Sequence, residues 1–213
     1  MIIGIDPSIR AAGLAAMDED GKLLGAAKYT CHSKSFHWQQ RACTMAYEIT
    51  RDVNYWLSLT DGPTMIVVET PSNWFTDKGE ASKDSEAVQK LYWFVGVQIG
   101  YIIADIGPLS PYCSLWTMEP GTWKGQVPKA IMTKRIKDAL IASGWDGADI
   151  TDHNTLDAVG IARFVNRDIN CANDILASAD TTFGTHQGVT QVMNNDYPFI
   201  ERIVTTTSYG RPA

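Results

Sequence analysis

Three carboxylates in this chain stand where chemistry can be done. Asp6 ends the run Ile2-Ile3-Gly4-Ile5 and is followed by Pro7-Ser8; Glu69 ends Thr64-Met65-Ile66-Val67-Val68 and is followed by Thr70-Pro71. Each run of apolar, largely β-branched residues reads as a buried strand that stops at its acid. Taken alone, Asp6 in Asp-Pro-Ser also suits a simple turn. The third acid, Asp157, lies one turn before Ile161 in a stretch where Leu156, Gly160, Ile161, Phe164 and Val165 mark the buried side of a helix from about His153 to Arg167. A carboxylate on a packing face is costly unless something pairs with it. If the three converge they repel one another strongly, and a divalent cation resolves the conflict. Oxygen ligands with one candidate imidazole favour Mg²⁺ or Mn²⁺ over zinc. Two such ions about 3.5–4 Å apart activate a water and stabilise the leaving oxygen in phosphodiester cleavage, with no protein nucleophile.

The elements that must position these acids are legible from periodicity. Leu14–Met17 and Leu23–Thr30 flank the turn Asp18-Glu19-Asp20-Gly21-Lys22, a hairpin signal that makes the N-terminus three sequential antiparallel strands. Met45, Ile49, Val53, Trp56 and Leu57 recur at helical spacing between Phe36 and about Leu59, and Asp61-Gly62-Pro63 stops that helix. After the strand ending at Glu69 comes a polar loop, Ser72 to Lys83, then a long helix from about Asp84 to Asp105 with Val88, Leu91, Tyr92, Val95, Ile99, Ile102 and Ile103 on one broad face. Gly96 and Gly100 in that helix permit close approach by a neighbour. Cys113 to Met118 reads as a fifth strand, giving the order β-β-β-α-β-α-β of an α/β sheet whose acids lie at the C-terminal strand ends, where such sheets place their sites.

From Pro120 to Lys129 a loop is expected, with Pro128 opening a helix to about Ser143. Between Thr122 and Lys137 stand Lys124, Lys129, Lys134, Arg135 and Lys137 and no acid. This concentration suits either a solvated helix face or a strip that follows a phosphate backbone, with Trp123 available to stack or wedge. Beyond Cys171 the pattern fades into polar residues, and the stretch to Ala213 reads as a docked extension, a tail or a partner-binding segment.

The chain has 213 residues, 45% of them hydrophobic, enough for one good core with an appendage. No run of 18 apolar residues exists, and the chain begins directly with a strand, so a cytoplasmic protein is expected. Cys31, Cys43, Cys113 and Cys171 are scattered, which fits reduced thiols and argues against a zinc or redox motif. A formal charge of −6 excludes a broad nonspecific nucleic-acid coat but permits a local basic strip beside a carboxylate metal site.

Ile3-Gly4-Ile5-Asp6-Pro7-Ser8 with the later Gly13, Ile66-Val67-Val68-Glu69, and Asp157-Ala158-Val159-Gly160-Ile161-Ala162 together resemble the RuvC-type Holliday-junction resolvases of the RNase H-like superfamily. Trp123-Lys124-Gly125-Gln126-Val127-Pro128-Lys129 looks like the shorter phage members, which would place the protein in a host cytoplasm. The match spans about residues 1–168. It implies an RNase H-like mixed five-stranded sheet, three antiparallel strands then two parallel, flanked by helices, in a nuclease domain over residues 1–170 with an extension over 171–213. It further implies a homodimer that nicks two symmetric strands of a four-way junction, using Mg²⁺ or Mn²⁺ on Asp6, Glu69 and Asp157. The family carries an acid or histidine three residues before its last aspartate; here Asn154 stands there and His153 one position earlier. His153, at i−4 from Asp157, is the favoured fourth ligand, against a capping-region role; Asp152 more naturally caps the helix. Trp74 or Phe75, on the loop after Glu69, would open the junction or else cover core, while Trp123, Lys124, Gln126, Lys129, Lys134 and Arg135 would meet DNA.

Other readings share some of these features. A terminase-like RNase H-like nuclease uses the same acids on linear or other branched DNA. An actin-like ATPase shares the first strand but needs a second half that the length does not hold. A junction-binding protein impaired in catalysis would fit the missing acid at position 154.

Overall fold

The computed structural model describes residues 1–32, 36–71, 85–106, 113–145, 150–176 and 189–194. Strands β1 (Ile2–Asp6), β2 (Ala12–Met17) and β3 (Leu23–Tyr29) form the antiparallel N-terminal unit, with Asp6 opposite Gly13 in the β1–β2 register. Helix α1 (Trp38–Leu57) follows, then β4 (Thr64–Glu69), α2 (Ser85–Ile106) and β5 (Cys113–Met118). β4 runs parallel to β1, and β5 parallel to β4. The five expected strands are present in the expected order and directions.

A sixth strand was not expected. β6 (Val189–Asn194) pairs antiparallel with β5, so the sheet order is β3-β2-β1-β4-β5-β6. Of the alternatives open for the stretch beyond Cys171, Val189–Asn194 takes that of a segment docked on the body, as a sheet strand. The last long helix, α5 (His153–Leu176), also runs past the Arg167 expected from its apolar face. Two further helices precede it: α3 (Pro120–Lys124), in what reads as a loop, and α4 (Lys129–Ala142), which begins after Pro128 as expected.

Strand period two divides the side chains between two helical layers. Ile3, Ile5, Leu14, Ile66 and Val68 point to one side and pack with Met45, Ile49 and Val53 of α1 and Phe94, Val95 and Ile102 of α2. Ile2, Ala15, Met17 and Val67 point to the other and pack with Leu156, Val159, Ile161 and Val165 of α5. The buried face of α2 centres on Phe94, Val95, Gln98, Ile102 and Ile106, whereas Tyr92, expected inside, is exposed and donates its hydroxyl to the Pro71 carbonyl at 2.8 Å. Gln98 is fully buried, and its amide nitrogen donates to the Thr50 hydroxyl of α1 at 3.1 Å.

The α5 side is where the sheet is barest. A Cβ added at Gly4 would meet the Ala158 carbonyl oxygen, and the Ala162 nitrogen at 2.9 Å; one added at Gly13 would strike the Asn154 backbone. Only glycine lets the helix backbone rest on the strands there. Asparagine amides fasten both ends of the contact: Asn154 Nδ2 donates to the Ala11 carbonyl, and Asn166 Nδ2 to the carbonyls of Asp18 and Glu19 at 3.0 Å each. Among the described residues, Cys31, Cys43 and Cys113 are free thiols, and no helix is long and apolar enough to cross a membrane.

Candidate active site

Ile2, Gly4 and Asp6 share the α5 face of β1, and Met65, Val67 and Glu69 share that of β4. The parallel register pairs Ile5 with Val68, so Asp6 and Glu69 leave adjacent strands side by side at the same sheet end. α5, seated on Gly4, carries Asp157 to that end. Asp6 is 7% exposed, and the side chains of Glu69 and Asp157 are each 13% exposed. Burial first, then the charges of Glu69 and Asp157, push the Asp6 carboxyl well above the usual carboxylate range. Burial also raises Glu69, against the pull of Lys124 and the hydrogen bond from Trp123. Asp6 thus lies within reach of the charges of both Glu69 and Asp157.

Two residues that read as DNA contacts turn out to line this site. Met118 pairs with Glu69 at the end of β5, so the chain leaving β5 passes Glu69, and α3 turns back over it. Trp123 is 7% exposed, packs against Ile136 and Gly160, and donates its indole N–H to Glu69 Oε2 at 2.6 Å. The ring is thus packed against protein rather than presented to solvent. The Lys124 ammonium lies 3.5 Å from Glu69 Oε2 and 3.5 Å from Asp157 Oδ2, and 4.7 Å from the Trp123 ring centroid. Among the described residues no group of three or more His, Cys, Asp or Glu side chains is already assembled around a metal position; an ammonium sits against two of the acids instead.

The neighbours of Asp157 divide cleanly. Asp152 caps α5, accepting from the Thr155 N–H at 3.0 Å and its hydroxyl at 3.1 Å, and pairs with Lys28 at 3.0 Å. Burial works against that carboxylate, but its hydrogen bonds from Lys28 and Thr155 hold it below its ordinary value. Asn154 is buried and spent on Ala11. His153 is exposed in the first turn. Gln126, Lys129, Lys134 and Arg135 are exposed on and before α4, and Lys129 is near enough to act on the Asp6 charge. Trp74 and Phe75 lie outside the described residues.

Comparison with solved structures finds a Thermus thermophilus RuvC in complex with Holliday junction substrate, with a TM-score of 0.55 at 17% identity over 79% of this chain and 94% of that one. The fold is RuvC-like. A second Thermus thermophilus RuvC structure matches with a TM-score of 0.52 at 17% identity, over 80% of this chain and 96% of that one. No family model and no curated protein sequence matches the chain. In the RuvC-like frame the mixed sheet of β1 to β5 with its flanking helices is the RNase H-like arrangement, and β6 extends its β5 edge.

Proposed function

We propose that this chain is a metal-dependent endodeoxyribonuclease that resolves four-way DNA junctions by hydrolysing phosphodiester bonds on two symmetric strands. The observation that supports it most is the meeting of Asp6, Glu69 and Asp157 at one end of a RuvC-like sheet. The donor set fits a hard divalent cation: all three are carboxylates, Asp6 is desolvated, and a lysine ammonium already answers their charge. Asp6, Glu69 and Asp157 would hold Mg²⁺ or Mn²⁺, with His153 as fourth ligand because i−4 shares the helix face. The metal, when bound, lowers the pKa of water and stabilises charge on a leaving oxygen.

The chain's own residues do the rest. Sheet register fixes Asp6 and Glu69 relative to each other, and the Trp123 indole orients Glu69. Exposed Gln126, Lys129, Lys134 and Arg135 follow the phosphate backbone beside the acids, contacts that position DNA without reading its sequence. Trp74 or Phe75, which follow Glu69 in the sequence, would open the junction. Two symmetric nicks require two sites, and α2 supplies a face for a second copy: Tyr92 and Trp93 are exposed, and a Cβ at Gly96 or Gly100 would meet nothing within 4 Å.

Nicking of a labelled four-way junction in Mg²⁺ or Mn²⁺ tests the reading. Asp6→Asn, Glu69→Gln and Asp157→Asn are each expected to abolish nicking while leaving junction binding in place, and EDTA to do the same to the unmodified protein. Equal cleavage of linear duplex would assign a different DNA substrate to the same acids. Junction binding without cleavage in either metal would mark the protein as catalytically impaired, the reading that Asn154 favours.

A further inference from the structure

We propose that Lys124 is the resident counter-cation of the Glu69–Asp157 pair and competes there with the divalent ion, an inference that rests on the metal-dependent reading above. Its ammonium is equidistant, at 3.5 Å, from carboxylate oxygens on two different elements, β4 and α5. A surface lysine with ordinary freedom pairs weakly with one partner. Lys124 is held differently: its side chain is 26% exposed, and its ammonium also lies over the indole of its own neighbour Trp123.

That indole is itself fixed. A Cβ added at Gly160 would stand 2.5 Å from Trp123 Cζ3 and 2.9 Å from Ile136 Cδ1, so α5 keeps a notch for the ring and α4 closes it. With Trp123 bonded to Glu69, Lys124 has one short tether from which to reach the acids. Its positive charge also acts on Asp6, in the direction opposite to burial. A divalent ion entering the cluster needs those same oxygens, and each ligand it takes from Lys124 must be released first. The lysine therefore stabilises the metal-free fold and weakens metal affinity together.

The test is Mn²⁺ titration of the full chain without DNA, read by the electron paramagnetic resonance of free Mn²⁺, with melting temperatures in EDTA alongside. Lys124→Met is expected to bind Mn²⁺ roughly tenfold more tightly, within the range of coupling between two sites, and to melt lower than the unmodified protein in EDTA. Lys124→Arg, which keeps the charge, is expected to keep the original affinity. Unchanged or weaker Mn²⁺ binding by Lys124→Met, with Glu69→Gln still weakening it in the otherwise unmodified protein, would overturn the competition alone. Mn²⁺ binding that Glu69→Gln and Asp157→Asn leave untouched would overturn the metal-site reading beneath it.

Discussion

Burial, and then the charges of Glu69 and Asp157, keep a proton on Asp6 at pH values where an unfolded chain has released it. The folded state then binds more protons than the unfolded one, so stability falls as pH rises through that window. In EDTA the protein is expected to melt at a higher temperature in mild acid than at neutral pH, as far as Asp6 and Glu69 govern it. Asp6→Asn removes the ionising group, so it should melt higher than the unmodified protein at neutral pH, and the gap should close as pH falls. Melting curves in EDTA across that range decide this, and saturating Mn²⁺ should reverse the order, since the cation favours the ionised acids. At this scale the sequence was informative because a strand that ends in a carboxylate is a local pattern. The roles of Trp123 and Lys124 were hidden because they depend on β5 delivering the chain next to Glu69, a fact of sheet order rather than of neighbouring residues.

The contact between α5 and the sheet depends on glycine, and substitution there should be severe. Gly4→Ala places a methyl against helix backbone, which cannot rotate aside, and should cost about 1–3 kcal/mol or more in denaturant unfolding. Gly160→Ala should cost a similar amount, about 1–3 kcal/mol, unless Trp123 leaves its notch; an accompanying fall in Mn²⁺ affinity would report loss of the bond to Glu69. Periodicity placed α1, α2 and α5 because each runs for many turns, and Pro128 marked the start of α4. It could not place α3, whose five residues are too few to show a period. It also missed Gln98, polar within an apolar arc, whose place is set by Thr50 on another helix. β6 escaped because Val189–Asn194, read Val-Thr-Gln-Val-Met-Asn, lacks the strict alternation of a strand and lies in a polar stretch, and only pairing with β5 identifies it.

For the whole molecule, the proposed two-strand cleavage of a junction would need two acid sites, and so two copies held in fixed relation. Gly100→Leu on the open face of α2 is expected to leave the circular dichroism spectrum unchanged and to shift the protein from dimer to monomer in analytical ultracentrifugation. The same variant should still bind Mn²⁺, because α2 lies on the sheet face opposite the acids. If it remains a dimer, the partner face lies elsewhere. A RuvC-like fold at 17% identity leaves such surfaces free to differ while the sheet persists.

The bare strip at Gly4 and Gly13 also sets an order of events in synthesis. Asn154 joins Ala11 across 143 positions, and Asn166 joins Asp18 across 148. The first three strands leave the ribosome long before the helix that covers them, and contacts so distant in sequence form late. Until α5 docks, Asp6 and Glu69 have no Asp157 beside them. An unfinished chain is thus born without its third acid, and the acid cluster comes into being only once α5 has been made and has docked.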